Sequence, residues 1–314
     1  MFSAFDRDLM GRALALAERG LYTATPNPRV GCVLVKDGKT MGEGWHEKAG
    51  GPHAEAAALA QAGEAARGAT AYVSLEPCNH HGRTPPCSDA LIEAGVARVA
   101  VAMRDPHPEA GGGGGKIAAA GIRFEHGLLE DEARELNIGF VSRVTRNRPW
   151  VRMKIAASLD GRTALANGRS QWITGADARR DGHAWRARAC AVLTGIGTVR
   201  ADDPRLNVRE VATPRQPLRV VIDSRLETPP EARILEGEGV LIFCAVDDAA
   251  RRDALEAKGA EIAVHANRGG KVDLPGMLKE LARRGINEVH VEGGVKLNGS
   301  LVREGCVDEL LIYL

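Results

Sequence analysis

The chain has 314 residues, 44% of them hydrophobic, and 42 basic against 41 acidic side chains leave a formal net charge of +1. That apolar fraction suffices for two cores and excludes a disordered chain, while the balanced charge lacks the basic footprint of a nucleic-acid binder. No apolar run approaches the roughly 20 residues of a membrane span, and the start MFSAFDRDLM has two Asp residues and no apolar core, so a cytosolic protein without a membrane partner is expected.

In chain order, residues 6–19 place Leu9, Met10, Ala13, Leu14 and Ala17 on one helical face, and Gly20 follows as a stop. Two apolar runs, 30–35 and 40–44, flank Lys36-Asp37-Gly38-Lys39, where the Asp-Gly pair marks a hairpin. HAEAAALAQAG then reads as a helix, ATAYVSLEP as a strand, SDALIEAG as a helix and VARVAVAM as a strand. Such alternation predicts an α/β layer structure with mostly parallel strands. The polar, basic stretch 143–148 precedes Pro149 and a new apolar run, which places a domain boundary there and gives domains 1–147 and 148–314. The second half alternates again. Strand WVRMKIAAS, helix ADARRDGHAWRARA and strands AVLTG, LRVVID and GVLIFC lead to helix DAARRDALEAKG, strand EIAVH, helix LPGMLKELARRG and strand EVHVE. A Gly-Gly turn, a helix and strand DELLIYL complete a second α/β domain, and no internal repeat relates the two halves.

Six cysteines in a chain without a secretory signal are read as thiols or metal ligands. Cys32, Cys190, Cys244 and Cys306 sit in apolar runs and read as small buried hydrophobes. Cys78 and Cys87 differ, because His53-Ala54-Glu55 precedes Pro77-Cys78 and the run EPCNHHGRTPPC ends on Cys87. One imidazole and two thiolates are three ligands, and a fourth position left to water is the pattern of a catalytic zinc site. A closed structural site would need a fourth protein ligand, which His80 or His81 could supply; His-x-Glu followed by Pro-Cys favours the deaminase pattern. Residues two apart do not share a helix face, so His53 and Glu55 serve one site only where a helix begins, as Gly51-Pro52 suggests. Cys87, after Pro85-Pro86, also falls at a helix start, where the positive end of the dipole favours a thiolate. The expected chemistry is hydrolytic deamination, with Glu55 carrying the proton from water to ring nitrogen and then to the leaving amine.

TPNPRVGCVLV, GEGWH, GGPHAE and SLEPCNHHGRTPPC together resemble the bifunctional riboflavin-biosynthesis deaminase–reductase family. Most zinc deaminases of nucleosides or tRNA have two residues between the cysteines, whereas eight intervene here, as in this family. KIAASLDGRTA, GRSQWITG, ARRDGHAWRARACAVLTGIGTVRADDPRLNVR, VIDS and VEGGVKLNGSLVREGCVDELLIY resemble its reductase half, so the resemblance covers almost the whole chain. It implies a cytidine-deaminase-like α/β/α domain followed by a dihydrofolate-reductase-like α/β domain. It also implies zinc and NADPH as cofactors, a phosphorylated pyrimidine as substrate and a homo-oligomer, dimer or tetramer. The diaminopyrimidinone ribosylamine phosphate would lose its 2-amino group, and its ribosyl chain would then be reduced to ribityl.

Residue by residue, the resemblance places Asn27 on the pyrimidine in the deaminase half. In the reductase half it puts Ala156, Trp172, Thr198, Asp202, Ser224 and the turn from Gly294 on the cofactor, with Lys154 as a further polar candidate there. Ser170, Arg186, Leu206, Arg209 and Glu292 fall at substrate positions. Arg186 and Arg209 suit a phosphate through their forked donors. The glycine run 111–115 before Lys116 fits neither phosphate-loop template, since Ala110 and Ile117 occupy required Gly and Ser/Thr places, and it reads as a mobile loop loosening the pocket wall. His107 stands where the family has Asn. The chain ends at Tyr313-Leu314 on a strand where the family pattern continues, which leaves a sheet edge and the alternative of a reductase-like domain serving assembly alone. A nucleic-acid-editing deaminase is disfavoured by the charge balance, the 4% aromatic content and the cysteine spacing. A non-catalytic zinc scaffold would require four protein ligands.

Overall fold

Ser3 opens the first helix with a reciprocal cap: its hydroxyl accepts the Asp6 amide at 3.1 Å while the Asp6 carboxylate accepts the Ser3 amide at 2.8 Å. The computed structural model describes residues 2–80, 85–167 and 172–314, and the chain divides into two units, Met1–Arg146 and Asn147–Leu314. Ser170 and His81 therefore lie outside the described residues.

The first unit runs α1 (Ala4–Glu18), β1 (Gly31–Lys36), β2 (Lys39–Trp45), α2 (Ala54–Ala62), β3 (Thr70–Leu75), α3 (Cys87–Glu93) and β4 (Arg98–Met103). It continues with α4 (Gly113–Ala119), β5 (Arg123–His126), α5 (Glu130–Leu136) and α6 (Ile138–Arg146). Its sheet has the order β2-β1-β3-β4-β5. Asp37 and Gly38, at φ 51° and 73°, make the two-residue hairpin turn whose twist matches the strands. The expectation of mostly parallel strands holds for β3, β4 and β5 but fails at β1, which is antiparallel to β2 and β3 alike. The tight turn reverses the chain, and α2 carries it back over the sheet so that β3 runs in the sense of β2. Met10, Ala13, Val33, Tyr72 and Phe140 form the core on one face; Leu34, Ala58, Val73, Leu91, Val101 and Ile117 form it on the other. Helices on both faces make a three-layer α/β/α unit.

The glycine run is only partly a loop: Gly111 and Gly112 precede α4, whereas Gly113, Gly114 and Gly115 are its first turn, with Gly113 and Gly114 buried. A Cβ at Gly113 would lie 1.9 Å from the Pro77 carbonyl oxygen, and one at Gly114 would lie 2.3 Å from the Phe124 ring. The run therefore brings α4 against the Pro77–Cys78 backbone, with Gly114 N–H donating to Glu76 Oε1 at 2.8 Å. None of Gly111–Gly115 lines the deaminase cavity; the run packs against the Pro77–Cys78 backbone instead of forming its wall. The basic stretch is likewise regular, because α6 continues to Arg146.

The second unit runs β6 (Trp150–Ala156), α7 (Ala176–Arg188), β7 (Ala191–Gly195), α8 (Ile196–Asp202), β8 (Leu218–Ile222), β9 (Val240–Cys244) and α9 (Ala249–Glu256). It ends with β10 (Ala260–Val264), α10 (Leu274–Arg283), β11 (Glu288–Val291), α11 (Val295–Arg303) and β12 (Glu309–Tyr313). Its seven strands are parallel throughout, in the order β10-β9-β8-β7-β11-β6-β12. β12 is an edge strand, and Leu310 and Ile312 on it are exposed. Val289 and Val291 of β11 join Leu193, Val220, Phe243 and Met277 in the core on one face. The other residues of that strand, Glu288 and His290, point to the opposite face, as the two-residue period of a strand requires. There Arg152, 1% exposed on its side chain, pairs with Glu288 and Glu309 and lies 4.1 Å from the ring centroid of Trp185 on α7. A parallel sheet is ordinarily apolar on both faces; this one carries a charge network beneath α7.

Candidate active site

In the first unit the metal-competent side chains come from two helix starts and one strand end. His53 caps α2 in extended conformation, φ −74° and ψ 161°, so its ring projects from the helix start while Glu55 sits in the first turn. Gly44 permits this placement, because a Cβ there would lie 2.3 Å from the Ala54 carbonyl oxygen. Cys78 follows β3, and Cys87 opens α3. His53 Nδ1 lies 3.2 Å from Cys87 Sγ and 3.6 Å from Cys78 Sγ. Zinc bonds of 2.0–2.3 Å in a tetrahedron set ligand–ligand edges of about 3.5 Å, so the three atoms fit one zinc ion. Among the described residues these three form the cluster able to hold a metal ion; His80 lines the adjacent cavity without joining it.

The donor set has the right charge. The hydrogen bond to Cys87, together with His53, lowers the Cys78 thiol to about 4, while Cys87, beside that thiolate and buried, is held up. Glu55 is 3% exposed, and burial raises its carboxyl to about 7. It stands next to the cluster and within reach of Cys87. A buried carboxyl that exchanges its proton near neutrality suits general acid–base work.

A cavity of about 500 Å³ opens beside these residues, lined also by Asn27, His46, Glu76, Asp105, His107, Phe140 and Arg143. His46 Nδ1 is 2.9 Å from the Pro52 carbonyl, which only accepts, so Nδ1 bears the proton and Nε2 accepts from Asn27 Nδ2 at 3.0 Å. Asn27 thus spends its amide N–H on His46 and leaves its carbonyl oxygen for the cavity. Asp105 Oδ1 accepts the His107 amide, and His107 Nδ1 accepts from the amides of Glu109 and Ala110. Burial raises the Asp105 carboxyl to about 6. His46, Asp105 and Arg143 had no assigned role in the sequence. His46 lies in the GEGWH segment, a usable signal, whereas Arg143 was submerged in a basic stretch.

The second unit gathers polar residues at the carboxyl ends of its parallel strands, where open α/β sheets bind ligands. A cavity of about 330 Å³ is lined by Lys154, Trp172, Arg179, His183, Arg186, Arg209, Glu210 and Glu292. Arg186 grips the Glu292 carboxylate through Nε and Nη2, the latter at 2.9 Å, and its Nη1 donates to the Asn207 carbonyl at 3.1 Å. Every nitrogen of Arg186 is thereby committed, which suits a strut for Glu292 better than a phosphate ligand. Arg209 and Arg179 are placed differently: Arg209 Nη1 makes a long 3.4 Å bond to Asn207 Oδ1, and Arg179 stacks 4.8 Å from the Trp172 ring centroid. Burial pushes Glu292 up, but the charge and fork of Arg186 outweigh it and hold the carboxyl at about 2.

Leu206 is buried with φ 50°, and Ala156 ends β6 opposite Tyr313. Thr198 lies on α8 near Gly294, the cap of α11, since a Cβ on Gly294 would lie 3.5 Å from Thr198 Oγ1. Asp202 closes α8 and is exposed. Ser224 Oγ accepts the Val272 amide at 3.2 Å, so it also ties β8 to the segment before α10. At Gly293 a Cβ would meet Asn298 Oδ1 at 2.6 Å, and that oxygen is buried without a hydrogen-bond partner. A bare backbone cradle at a helix start fits a cofactor phosphate, and the orphaned Asn298 acceptor fits a hydroxyl or amide donor of the same nicotinamide cofactor.

Known proteins resemble the chain over both units. Residues 149–314 match the family model "RibD C-terminal domain", and residues 3–103 match "Cytidine and deoxycytidylate deaminase zinc-binding region". Riboflavin biosynthesis protein RibD of Escherichia coli K12 is 48% identical over 322 residues, covering 98% of this chain and 87% of the relative. Its Haemophilus influenzae counterpart is 47% identical, covering 100% and 86%. The structure of Acinetobacter baumannii RibD superposes with a TM-score of 0.90 at 45% identity, covering 98% of this chain and 86% of that one. A Thermotoga maritima structure titled diaminohydroxyphosphoribosylaminopyrimidine deaminase/5-amino-6-(5-phosphoribosylamino)uracil reductase does so at 0.86 and 38% identity, covering 96% and 84%. The chain belongs to the RibD family of bifunctional deaminase–reductases of riboflavin biosynthesis.

Proposed function

We propose that the first unit hydrolytically deaminates 2,5-diamino-6-(5-phosphoribosylamino)pyrimidin-4(3H)-one, and that the second reduces the ribosyl chain of the product to ribityl. The observation that carries this reading is the convergence of His53, Cys78 and Cys87 beside buried Glu55 in a cavity that also holds Asn27. His53, Cys78 and Cys87 would hold zinc, and the turn from Gly293 with Thr198 and Ser224 would hold NADPH. Zinc supplies a hydroxide nucleophile at neutral pH, and NADPH supplies a hydride.

The side chains do the rest. Asn27, oriented by His46, offers its carbonyl oxygen to a ring N–H or amino hydrogen and so sets the amino-bearing carbon over the ligands. Glu55 takes the proton of the attacking water, gives it to the ring nitrogen and then protonates the leaving amine; one C–N bond breaks, one C–O bond forms and ammonia leaves. In the second unit Lys154 and Glu292 face the same cavity, placed to move a proton from the ribosylamine nitrogen to the ring oxygen as the ring opens and to deliver one to that nitrogen as C1 takes up the hydride equivalent. Arg209 and Arg179 are the proposed phosphate ligands, with Arg186 holding Glu292 in place.

Family membership also supports a cytosolic homo-oligomer, and the exposed Leu310 and Ile312 on edge strand β12 are compatible with an assembly surface. No described helix is long and apolar enough to cross a membrane. The decisive experiment is product mass after incubation with the diaminopyrimidinone ribosylamine phosphate. Exchange of amine for oxygen without NADPH, and a gain of two hydrogens with it, are expected. No mass change with zinc-loaded protein would refute the substrate.

A further inference from the structure

Between α8 and β8 the chain runs through residues 203–209 without helix or strand, so no regular ladder supplies hydrogen bonds to its backbone. Side chains supply them instead. Arg186 Nη1 donates to the Asn207 carbonyl at 3.1 Å, and Gln216 holds Val208 twice, accepting its amide at 2.7 Å and donating to its carbonyl at 3.1 Å. The Arg209 amide then donates to His183 Nδ1 at 3.3 Å. Leu206 and Val208 are buried, whereas Arg209 is exposed and lines the reductase cavity. Its Nη1 makes a 3.4 Å bond to Asn207 Oδ1, so its aim depends on where the backbone of this segment is held.

His183 stands three residues before Arg186 on α7, on the same face of the helix. It is 3% exposed and also lines the cavity. An amide only donates, so Nδ1 is the bare acceptor and Nε2 carries the proton, facing Glu210 Oε1 at 3.7 Å. A second proton on the ring would break the bond to Arg209. Burial opposes that proton, and the charges of Arg186 and Arg209 add to it against the carboxylates of Glu210 and Glu292, which lowers the imidazole to about 4. Lys154 and Arg179 bring further positive charge to the same cavity. An apolar side chain would fill this volume; the imidazole adds an acceptor where the chain passes from buried Val208 to exposed Arg209.

We propose that His183 is a positioning residue of the reductase half: by accepting the Arg209 amide it fixes the segment that aims Arg209 at the substrate phosphate. The assignment rests on the reading of Arg209 as a phosphate ligand given under Proposed function. His183 and Arg186 then divide the work of α7. Arg186 holds the Glu292 carboxylate and Asn207, and His183 holds the residue next but one.

The test follows NADPH oxidation by the full chain on the deaminated ribosylamine phosphate, with melting temperature recorded for every variant. His183→Leu should raise KM for this substrate about tenfold, up to the worth of one hydrogen bond, with kcat little changed. His183→Asn carries its oxygen where Nδ1 stands and should recover most of the loss. His183→Gln carries it one bond further out and should not, which keeps the comparison usable if H183L does not fold. Arg209→Gln should raise KM at least as far, and H183L should add little in the R209Q background, because both act through one contact. Additive losses, H183N no better than H183Q, or a fall in kcat at parental KM would overturn the assignment and leave the function intact. A parental KM in R209Q would fell the reading of Arg209, and this inference with it.

Discussion

Gly113→Ala should damage the zinc centre although residue 113 touches neither metal nor substrate. Its Cβ would stand 1.9 Å from the Pro77 carbonyl oxygen, where real Cβ contacts essentially never fall below 3.0 Å, so one partner must retreat by about 1.1 Å. The obstacle is backbone and cannot rotate away. Pro77 directly precedes the ligand Cys78, and the Asn79 amide is itself bonded to Ala110 at 2.9 Å, so the ligand segment moves as a piece. Overpacking of this kind costs about 1–3 kcal/mol, partly offset by the roughly 0.5–1 kcal/mol that alanine gains over glycine in a helix. A net loss of about 1–2 kcal/mol lowers a midpoint by several degrees in a unit of this size. A displacement near 1 Å at a reacting centre costs about a hundredfold in turnover. Gly115→Ala is the internal control: it lies in the same helix with nothing within 4 Å of its Cβ, so it should stabilise by about 0.5–1 kcal/mol. The assays are thermal unfolding, zinc affinity by chelator competition, and ammonia release. G113A protein that melts with the parent, holds zinc as tightly and turns over normally would refute the close-approach argument.

Three further outcomes are expected. Glu55→Gln should retain zinc by metal analysis and lose deamination by about 10²–10⁴-fold, yet still oxidise NADPH when given the deaminated pyrimidine; loss of both activities would contradict separate sites. Arg186→Gln leaves the largely buried Glu292 unpaired, at a cost of about 3 kcal/mol in urea unfolding. Because the Glu292 carboxyl is held at about 2 against an ordinary 4.5, its contribution is present above pH 4.5 and lost as pH falls from 4.5 toward 2. In R186Q burial without the guanidinium raises the carboxyl, so this loss between pH 4.5 and 2 should shrink or reverse, and an acid limb identical to the parent's would argue against the fork. His290 is fully buried, neither ring nitrogen makes a hydrogen bond although Nε2 lies 3.7 Å from Glu292, and burial lowers it from 6.5 to about 4, with Glu292, Arg186, Arg152 and Lys154 around it. The unfolded chain therefore binds the extra proton between pH 6.5 and 4, so stability falls as pH drops through that window and levels off below it. One proton gives a slope of up to about 1.4 kcal/mol per pH unit. His290→Leu should flatten the unfolding free energy between pH 7 and 5; an unchanged slope would count against a neutral buried imidazole.

What the sequence settled is local chemistry. His53, Glu55 and Cys87 work because of where each stands at the start of a helix, and the residues that make those starts are adjacent in the chain: Gly51-Pro52 and Pro85-Pro86. The Asp37-Gly38 hairpin was readable for the same reason, since its positive φ values depend on those two residues alone. The cysteine spacing and the second-half motifs then selected the family. What only the tertiary structure decided depends on partners distant in sequence. Gly113 and Gly114 become helical because the Pro77 carbonyl and the Phe124 ring press against them, while helix propensity, which charges about 1 kcal/mol per glycine, argues for a loop. Arg186 and Glu292 are 106 residues apart, and nothing local in either segment announces that one guanidinium will be wholly taken by the other and by Asn207. Arg143 belongs to a basic stretch that reads as solvated, and the packing of α6 beside residues 26–28 brings its charge into the deaminase cavity. Caps and turns are decided by neighbours in sequence, whereas close approach, charge pairing and the walls of a cavity are decided by what folding brings alongside.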